Sequence, residues 1–281
     1  MNTAVQVELP FNAMSATHSI AIEAVNISYS VHNKPLLHGI NARFQAGRWT
    51  SIVGPNGAGK TTLLKVLAGL LHAKGEVKYM SEALQTIAPR QRAQKIAWLG
   101  QNEHGAEDML VHDVVMLGRM PHIAWFGSAG EQDFQAVEHA LRTTHAWDWR
   151  NRTLSQLSSG ERQRVLLARA MAVQAETVLM DEPLMNLDPP HQADWLRWAK
   201  RSVAQGKTVI SVLHEISLAL QADDMLVMAN GQLMHQGACD ALQTHAALEQ
   251  VFDQAIQVVA VDKMRTAHLN IKQNSEQLKQ G

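Results

Sequence analysis

The sequence is short of the features that would send it outside the cell or into a membrane. It carries one cysteine, Cys239, in 281 residues, which excludes an internal disulfide framework and fits a reducing compartment. A secretory signal needs a basic stretch before an apolar run, and the first Lys or Arg here is Lys34. No stretch reaches the ~18 consecutive apolar residues of a membrane helix; the best are cut by Lys65 and Arg169. Charge of one sign is not in excess either. Lys+Arg number 25 and Asp+Glu 26, a net charge of -1, so the basic excess usual in a nucleic-acid binder is missing. Internal repeats are absent. With 46% hydrophobic and 18% charged residues, the chain is expected to be a cytoplasmic globular protein of one or two domains. Any membrane role would be peripheral.

What is present begins with alternation. Ile20, Ile22, Val25, Ile27 and Tyr29 suggest strands, with a turn at Asn33-Lys34-Pro35. Trp49–Val53 reads as a short strand ending at Gly54, and Leu63, Leu64, Val66, Leu67, Leu70 and Leu71 recur at helical spacing. Residues 109–173 look mainly helical, broken by a loop from Arg119 to Gly130. Phe134, Val137 and Leu141 mark the expected buried face of a helix starting near Glu131. Two apolar runs, Val178–Glu182 and Val209–His214, read as buried parallel strands with reactive side chains at their carboxyl ends. Asn230-Gly231 between Leu226–Ala229 and Gln232–Met234 is a strong hairpin signal, because both turn residues need positive φ.

Between the Trp49 strand and the leucine-rich helix lies Gly54-Pro55-Asn56-Gly57-Ala58-Gly59-Lys60-Thr61-Thr62, which fits the phosphate-loop pattern. Its glycines let backbone N–H groups curve around the β- and γ-phosphates of a nucleotide. Lys60 adds a point charge, Thr61 a hydroxyl for Mg²⁺, and the helix start a positive dipole end. Asp181, at a strand end, can hold Mg²⁺, and Glu182 beside it can orient and activate the attacking water. ATP and Mg²⁺ are the cofactors this chemistry calls for.

Phosphate loops occur in kinases, GTPases, helicases and transporters. The discriminating segment is Leu157-Ser158-Ser159-Gly160-Glu161-Arg162-Gln163-Arg164. Ser158 and Glu161 stand at capping-box spacing and should open a helix, giving a second anion-binding helix start. The segment resembles the signature of ATP-binding cassette (ABC) ATPases, usually Leu-Ser-Gly-Gly-Glu/Gln, and its spacing to Asp181 matches that family too. The resemblance covers roughly Ile20 to Asp262. It implies an α/β fold: a P-loop NTPase (RecA-like) core with an antiparallel β subdomain and an inserted α-helical subdomain. The expected division is an extension at 1–19, one cassette at 20–262 and a polar tail at 263–281, the cassette comprising core at 20–104 and 166–262 and helical subdomain at 105–165. It further implies a head-to-tail homodimer, in which Ser158, Ser159 and Gly160 of one subunit close over ATP on the other's phosphate loop. By the same resemblance Tyr29 stacks on adenine and Gln101 reports γ-phosphate and Mg²⁺ to the helical subdomain. His214 contacts γ-phosphate and holds Glu182, and Asp188 communicates across the dimer. Two departures stand out: Ser159 replaces a glycine, and Met185-Asn186 replaces the usual Ser-Ala.

A single cassette without membrane segments implies a subunit docked on separate proteins. Val114–His122 and Gly237–Val259, with Leu248–Phe252, resemble the importer ATPases for iron chelates, haem and cobalamin. The implied partners are two integral-membrane permease subunits and, indirectly, a periplasmic substrate-binding protein, at the cytoplasmic face of a bacterial inner membrane; no nucleic acid is expected. The 14 histidines form no recognisable metal-ligand cluster. Trp195 and Trp198, at i and i+3, read as a packed or partner-facing helix face.

Overall fold

The computed structural model describes residues 19–101, 105–261 and 264–269; the expected extension at 1–19 lies outside them except for Ser19. The chain opens with β1 (Ile20–Val31) and β2 (Lys34–Gln45), an antiparallel pair. The turn between them falls on His32-Asn33, both at positive φ (47° and 62°). Lys34 and Pro35 already belong to β2, so the turn sits one residue earlier than the Pro suggested. Pro is tolerated because β2 is the edge of its sheet.

β3 (Trp49–Val53) leads through the phosphate loop into α1 (Lys60–Leu67), which stops short of Leu70 and Leu71. Then come β4 (Lys74–Tyr79), β5 (Glu82–Ala83), α2 (Pro89–Lys95) and β6 (Ile96–Leu99). The helical stretch holds α3 (Val111–Met116), α4 (Glu131–Thr143) and α5 (Ser159–Ala172). The second half alternates: β7 (Thr177–Asp181), α6 (Pro189–Ala204), β8 (Thr208–Val212), α7 (Ile216–Ala219), β9 (Asp224–Ala229), β10 (Gln232–Ala238) and α8 (Leu242–Val251). Last are β11 (Ile256–Val261) and β12 (Met264–Leu269), an antiparallel pair. Ordered structure thus continues past residue 262, where the sequence suggested a polar tail.

Among the described residues the strands form three sheets. The central one runs β10-β9-β3-β8-β7-β6, parallel except for β10, and the N-terminal one runs β2-β1-β4-β5, all antiparallel. β3, β7 and β8 are buried at every residue, as parallel strands covered on both faces must be. One core joins the antiparallel sheet and α1 to a face of the central sheet. The other packs α3 to α6 and α8 on the opposite face. Trp195 is fully buried there, edge-on to Trp49 at 5.4 Å, so this tryptophan face is packed.

The buried stripe of α4 is Ala136, Val137, Ala140 and Leu141. Phe134 is a correction: it is 49% exposed and stacks on His112 at 5.9 Å, since its place in the first turn falls at the margin of that stripe. Arg119, expected in a loop, is buried. Its guanidinium donates to Asp133 (2.9 Å) and the Ala172 carbonyl (2.7 Å), tying α4 to the end of α5.

Candidate functional site

The phosphate loop is shaped by close approach. Gly54 has φ 152°, and a Cβ there would lie 2.1 Å from the Met228 carbonyl oxygen; at Gly59 (φ 93°) it would meet Leu37 at 2.9 Å. No side chain fits either position. The predicted Asn230-Gly231 turn forms, with φ 50° and 73°. It also has a role that hairpin propensity does not reveal. The Gly231 amide donates to the Ala58 carbonyl (3.1 Å) and its own carbonyl accepts from His38 (2.9 Å). The turn therefore clamps the loop against β2. Tyr29 is half-buried on β1 opposite Leu37, the residue that touches Gly59, so it stands on the strand pair abutting the loop.

Lys60 is 6% exposed, and its ammonium donates to the carbonyls of Gly54 (2.7 Å) and Pro55 (3.0 Å). Burial lowers its pKa, against the charges of Glu182 and Asp181. Pro55 and Thr62 are half-buried, Asn56 and Gly57 exposed and Ala58 buried. The Thr61 hydroxyl donates to Asp181 Oδ1 at 3.1 Å. The other oxygen of Asp181 is buried with no hydrogen-bond partner, and burial raises this carboxyl's pKa despite the Thr61 bond. An unpartnered buried acceptor costs about 1–3 kcal/mol. Beside a hydroxyl, it has the hard-oxygen chemistry that Mg²⁺ takes, so the donor set fits that ion.

Glu182 follows β7 in the left-handed region (φ 52°), held by its amide bond to the Val212 carbonyl (3.1 Å). A non-glycine residue there costs of order 1–3 kcal/mol and persists only when its surroundings enforce it. Its carboxylate is gripped from two sides, by His214 Nε2 at 2.5 Å and Gln101 Nε2 at 2.8 Å. Three residues far apart in sequence thus converge where β6, β7 and β8 end side by side. Such a carboxylate can take a proton from water in a fixed direction.

The signature segment lies apart in character. Ser158 caps α5 with a full capping box: Glu161 N–H to Ser158 Oγ (3.3 Å) and Ser158 N–H to Glu161 Oε2 (2.8 Å). The Ser158 amide holds the Glu161 carboxyl below its usual range. Ser159 is the exposed first residue of the helix, without positive φ. Gly160 is close-packed, since a Cβ would come 2.7 Å from the Asn186 carbonyl oxygen. Gln163, buried, donates to the Pro183 carbonyl (3.1 Å). Motif reading had missed that the start of α5 is bolted onto the loop that follows Asp181 and Glu182. Asp188 closes that loop as the N-cap of α6, accepting from His191 N–H (3.3 Å). Met185 Sδ lies 4.0 Å from Gln101 Nε2. Among the described residues, no group of three or more His, Cys, Asp or Glu could hold a metal ion.

Residues 37–185 match the family model described as "ABC transporter". The chain belongs to this family. As a member it is an ATP-binding cassette that hydrolyses ATP, on the P-loop NTPase fold with the β and helical parts expected. The cassette is 33% identical to the petrobactin import ATP-binding protein of Bacillus anthracis, over 82% of this chain and 86% of the other. It is 37% identical to the hemin import ATP-binding protein of Pseudomonas putida, over 83% and 90%. Among solved structures it resembles a dimeric bacterial ABC transporter cassette with TM-score 0.71 at 23% identity, covering 79% of this chain and 100% of that one.

Proposed function

We propose that this cassette is the ATP-binding subunit of a bacterial importer for an iron chelate, haem or cobalamin. It works as a homodimer on two integral-membrane permease subunits, at the cytoplasmic face of the inner membrane. The observation that carries the reading is the extent of likeness to ATP-binding proteins of petrobactin and hemin import, over more than four fifths of the chain. A surface suited to a partner accompanies it: Trp125 (87% exposed), Phe126 (98%) and Met120 (58%) stand out from the segment between α3 and α4, more apolar area than water-facing loops usually show. Among the described residues no helix is long and apolar enough to cross a membrane, so the path for the solute belongs to the partners. The alternative for such a sequence is a soluble ABC ATPase not linked to transport, associated with nucleic acid or translation, and neither import relative above supports it.

In this reading the loop amides of residues 54–62 and Lys60 hold the β- and γ-phosphates, and Tyr29 stacks on adenine. Thr61 and Asp181, with Gln101, would hold Mg²⁺, which supplies charge neutralisation at the transferred phosphoryl group. Glu182 accepts the proton of the attacking water, with its carboxylate aimed by His214 and Gln101. Ser158, Ser159 and Gly160 of the second subunit complete the γ-phosphate face, and Asp188 links the two sites. Binding of ATP then shifts the population towards the closed dimer, and hydrolysis reopens it.

The experiment is co-purification of the tagged cassette with its membrane partners, followed by reconstitution in vesicles and ATPase assay with haem, a ferric siderophore or cobalamin inside. One of the three should stimulate turnover several-fold. Stimulation by nucleic acid instead, with no membrane protein retained, would overturn the importer reading.

A further inference from the structure

The segment that carries His214 is anchored from two directions. From below, the buried Ser51 hydroxyl donates to the Ala219 carbonyl at 3.0 Å, fixing the end of α7 to β3. From outside, the β11–β12 hairpin closes over α7. Its Ala267 amide donates to Ser217 Oγ at 3.1 Å, and the hydroxyls of Ser217 and Thr266 lie 3.1 Å apart. The hairpin is itself fastened: Val258 N–H donates to Glu249 of α8 at 2.9 Å, and Ile256, Val258 and Ala267 pack on the helical-side core. α7 is one turn of helix, too short to hold its own geometry, and its N-cap Glu215 directly follows His214. Between Leu213, buried and bonded to the Ile52 carbonyl (3.2 Å), and Ser217, only three residues separate the two fixed points, and His214 is one of them.

We propose that the C-terminal hairpin positions His214, with Ser217 as the positioning residue through which it acts. This rests on the role given above to His214. The hydroxyl of Ser217 bonds into the hairpin, to Thr266 and Ala267, and not to Glu182. The hydroxyl contacts of Ser217 and Thr266 fix the first turn of α7, and so where the chain enters it from His214 and where the imidazole meets the Glu182 carboxylate. Loss of the Ser217 hydroxyl leaves the Ala267 amide without its acceptor and loosens that entry.

The test uses the full-length dimer with Mg²⁺ and ATP. Ser217→Ala should lower kcat roughly three- to tenfold with KM for ATP unchanged, about 1 kcal/mol in the barrier. Ser217→Thr, which keeps the hydroxyl, should recover the parental rate to within about twofold. Thr266→Val tests the hairpin side with Ser217 intact and should lower kcat in the same direction. The discriminating measurement is a double-mutant cycle: in a His214→Ala background, Ser217→Ala should add nothing to the loss, because neighbours that act as a unit are non-additive. The same fold-loss in both backgrounds, or parental kcat in both Ser217→Ala and Thr266→Val with a slow His214→Ala, overturns the proposal. A parental rate in His214→Ala alone would remove the histidine's role, and this inference with it.

Discussion

The chain contains two helix starts suited to phosphate, and they are built on opposite terms. The start of α1 is costly. Its loop needs positive φ at Gly54, Gly57 and Gly59, it buries the ammonium of Lys60, and it leaves one Asp181 oxygen without a partner. Glu182, alongside, is held in a left-handed conformation. The start of α5 is economical. Its serine and glutamate satisfy each other, Ser158 and Ser159 face solvent, and no residue from 158 to 160 adopts positive φ. The first half is preorganised for charge that arrives with a nucleotide; the second is complete without one. In the homodimer proposed above, the second half would serve as the lid on another copy's nucleotide. Substitution should separate the two halves: catalytic losses at unchanged stability in the first, and losses that begin with the chain's own packing in the second.

The largest loss is expected at Glu182. Glu182→Gln keeps the volume but turns one of the two acceptor oxygens into a donor and removes the base, so turnover should fall at least ~100-fold while ATP affinity stays within about threefold. Steady-state hydrolysis beside nucleotide titration measures both, and parental turnover would remove Glu182 from its assigned role. Next comes Lys60→Ala. Hydrogen bonds to a charged group contribute about 1.5–3 kcal/mol, so affinity for ATP should drop roughly ten- to hundredfold. Unaltered binding by calorimetry would mean that the ammonium stays on the Gly54 and Pro55 carbonyls throughout.

Gly160→Ala probes the second half where it is tightest. The added methyl would lie 2.7 Å from the Asn186 carbonyl oxygen, and overpacking of this kind costs about 1–3 kcal/mol. Thermal unfolding should show the loss without nucleotide present. If the melting temperature is unchanged and only turnover suffers, the glycine is needed for the partner's phosphate alone and not for the loop of its own chain.

The costly half was far more legible in the sequence than the economical one's surroundings. A glycine-rich loop with Lys60 and Thr61 betrays itself because few residues tolerate positive φ, and Asp181 and His214 follow short apolar runs that read as buried strands. Legibility failed where contacts are long-range and made by backbone. Gly231 was readable as a turn, but not as the clamp on Ala58, because the acceptor is a carbonyl that every residue possesses. The Gly160–Asn186 and Gln163–Pro183 contacts were hidden for the same reason. Phe134 was misplaced because helical period alone sets the direction of a stripe and not its edge. The hairpin β11–β12 was missed because its second strand, Met-Arg-Thr-Ala-His-Leu, mixes polar and apolar residues as a solvated tail would.

Ser159 is where the comparison can be sharpened with the smallest effect. The family signature that this segment resembles has glycine at this position, and a glycine is indispensable where φ is positive or a neighbour crowds Cβ. Neither condition holds here: Ser159 is the first residue of α5, its φ is negative, and it is exposed. Its backbone amide therefore points from the helix start as a glycine amide would, and the side chain costs nothing in the free chain. Ser159→Gly should change kcat by no more than about twofold and stability by at most about 1 kcal/mol, the propensity difference of glycine in a helix. Steady-state ATPase and a melting curve read both. A gain in turnover of tenfold or more would show that the hydroxymethyl group obstructs closure over the second subunit's nucleotide. The economical half would then be tolerant only in the open state, and its real constraint would be imposed by the partner copy.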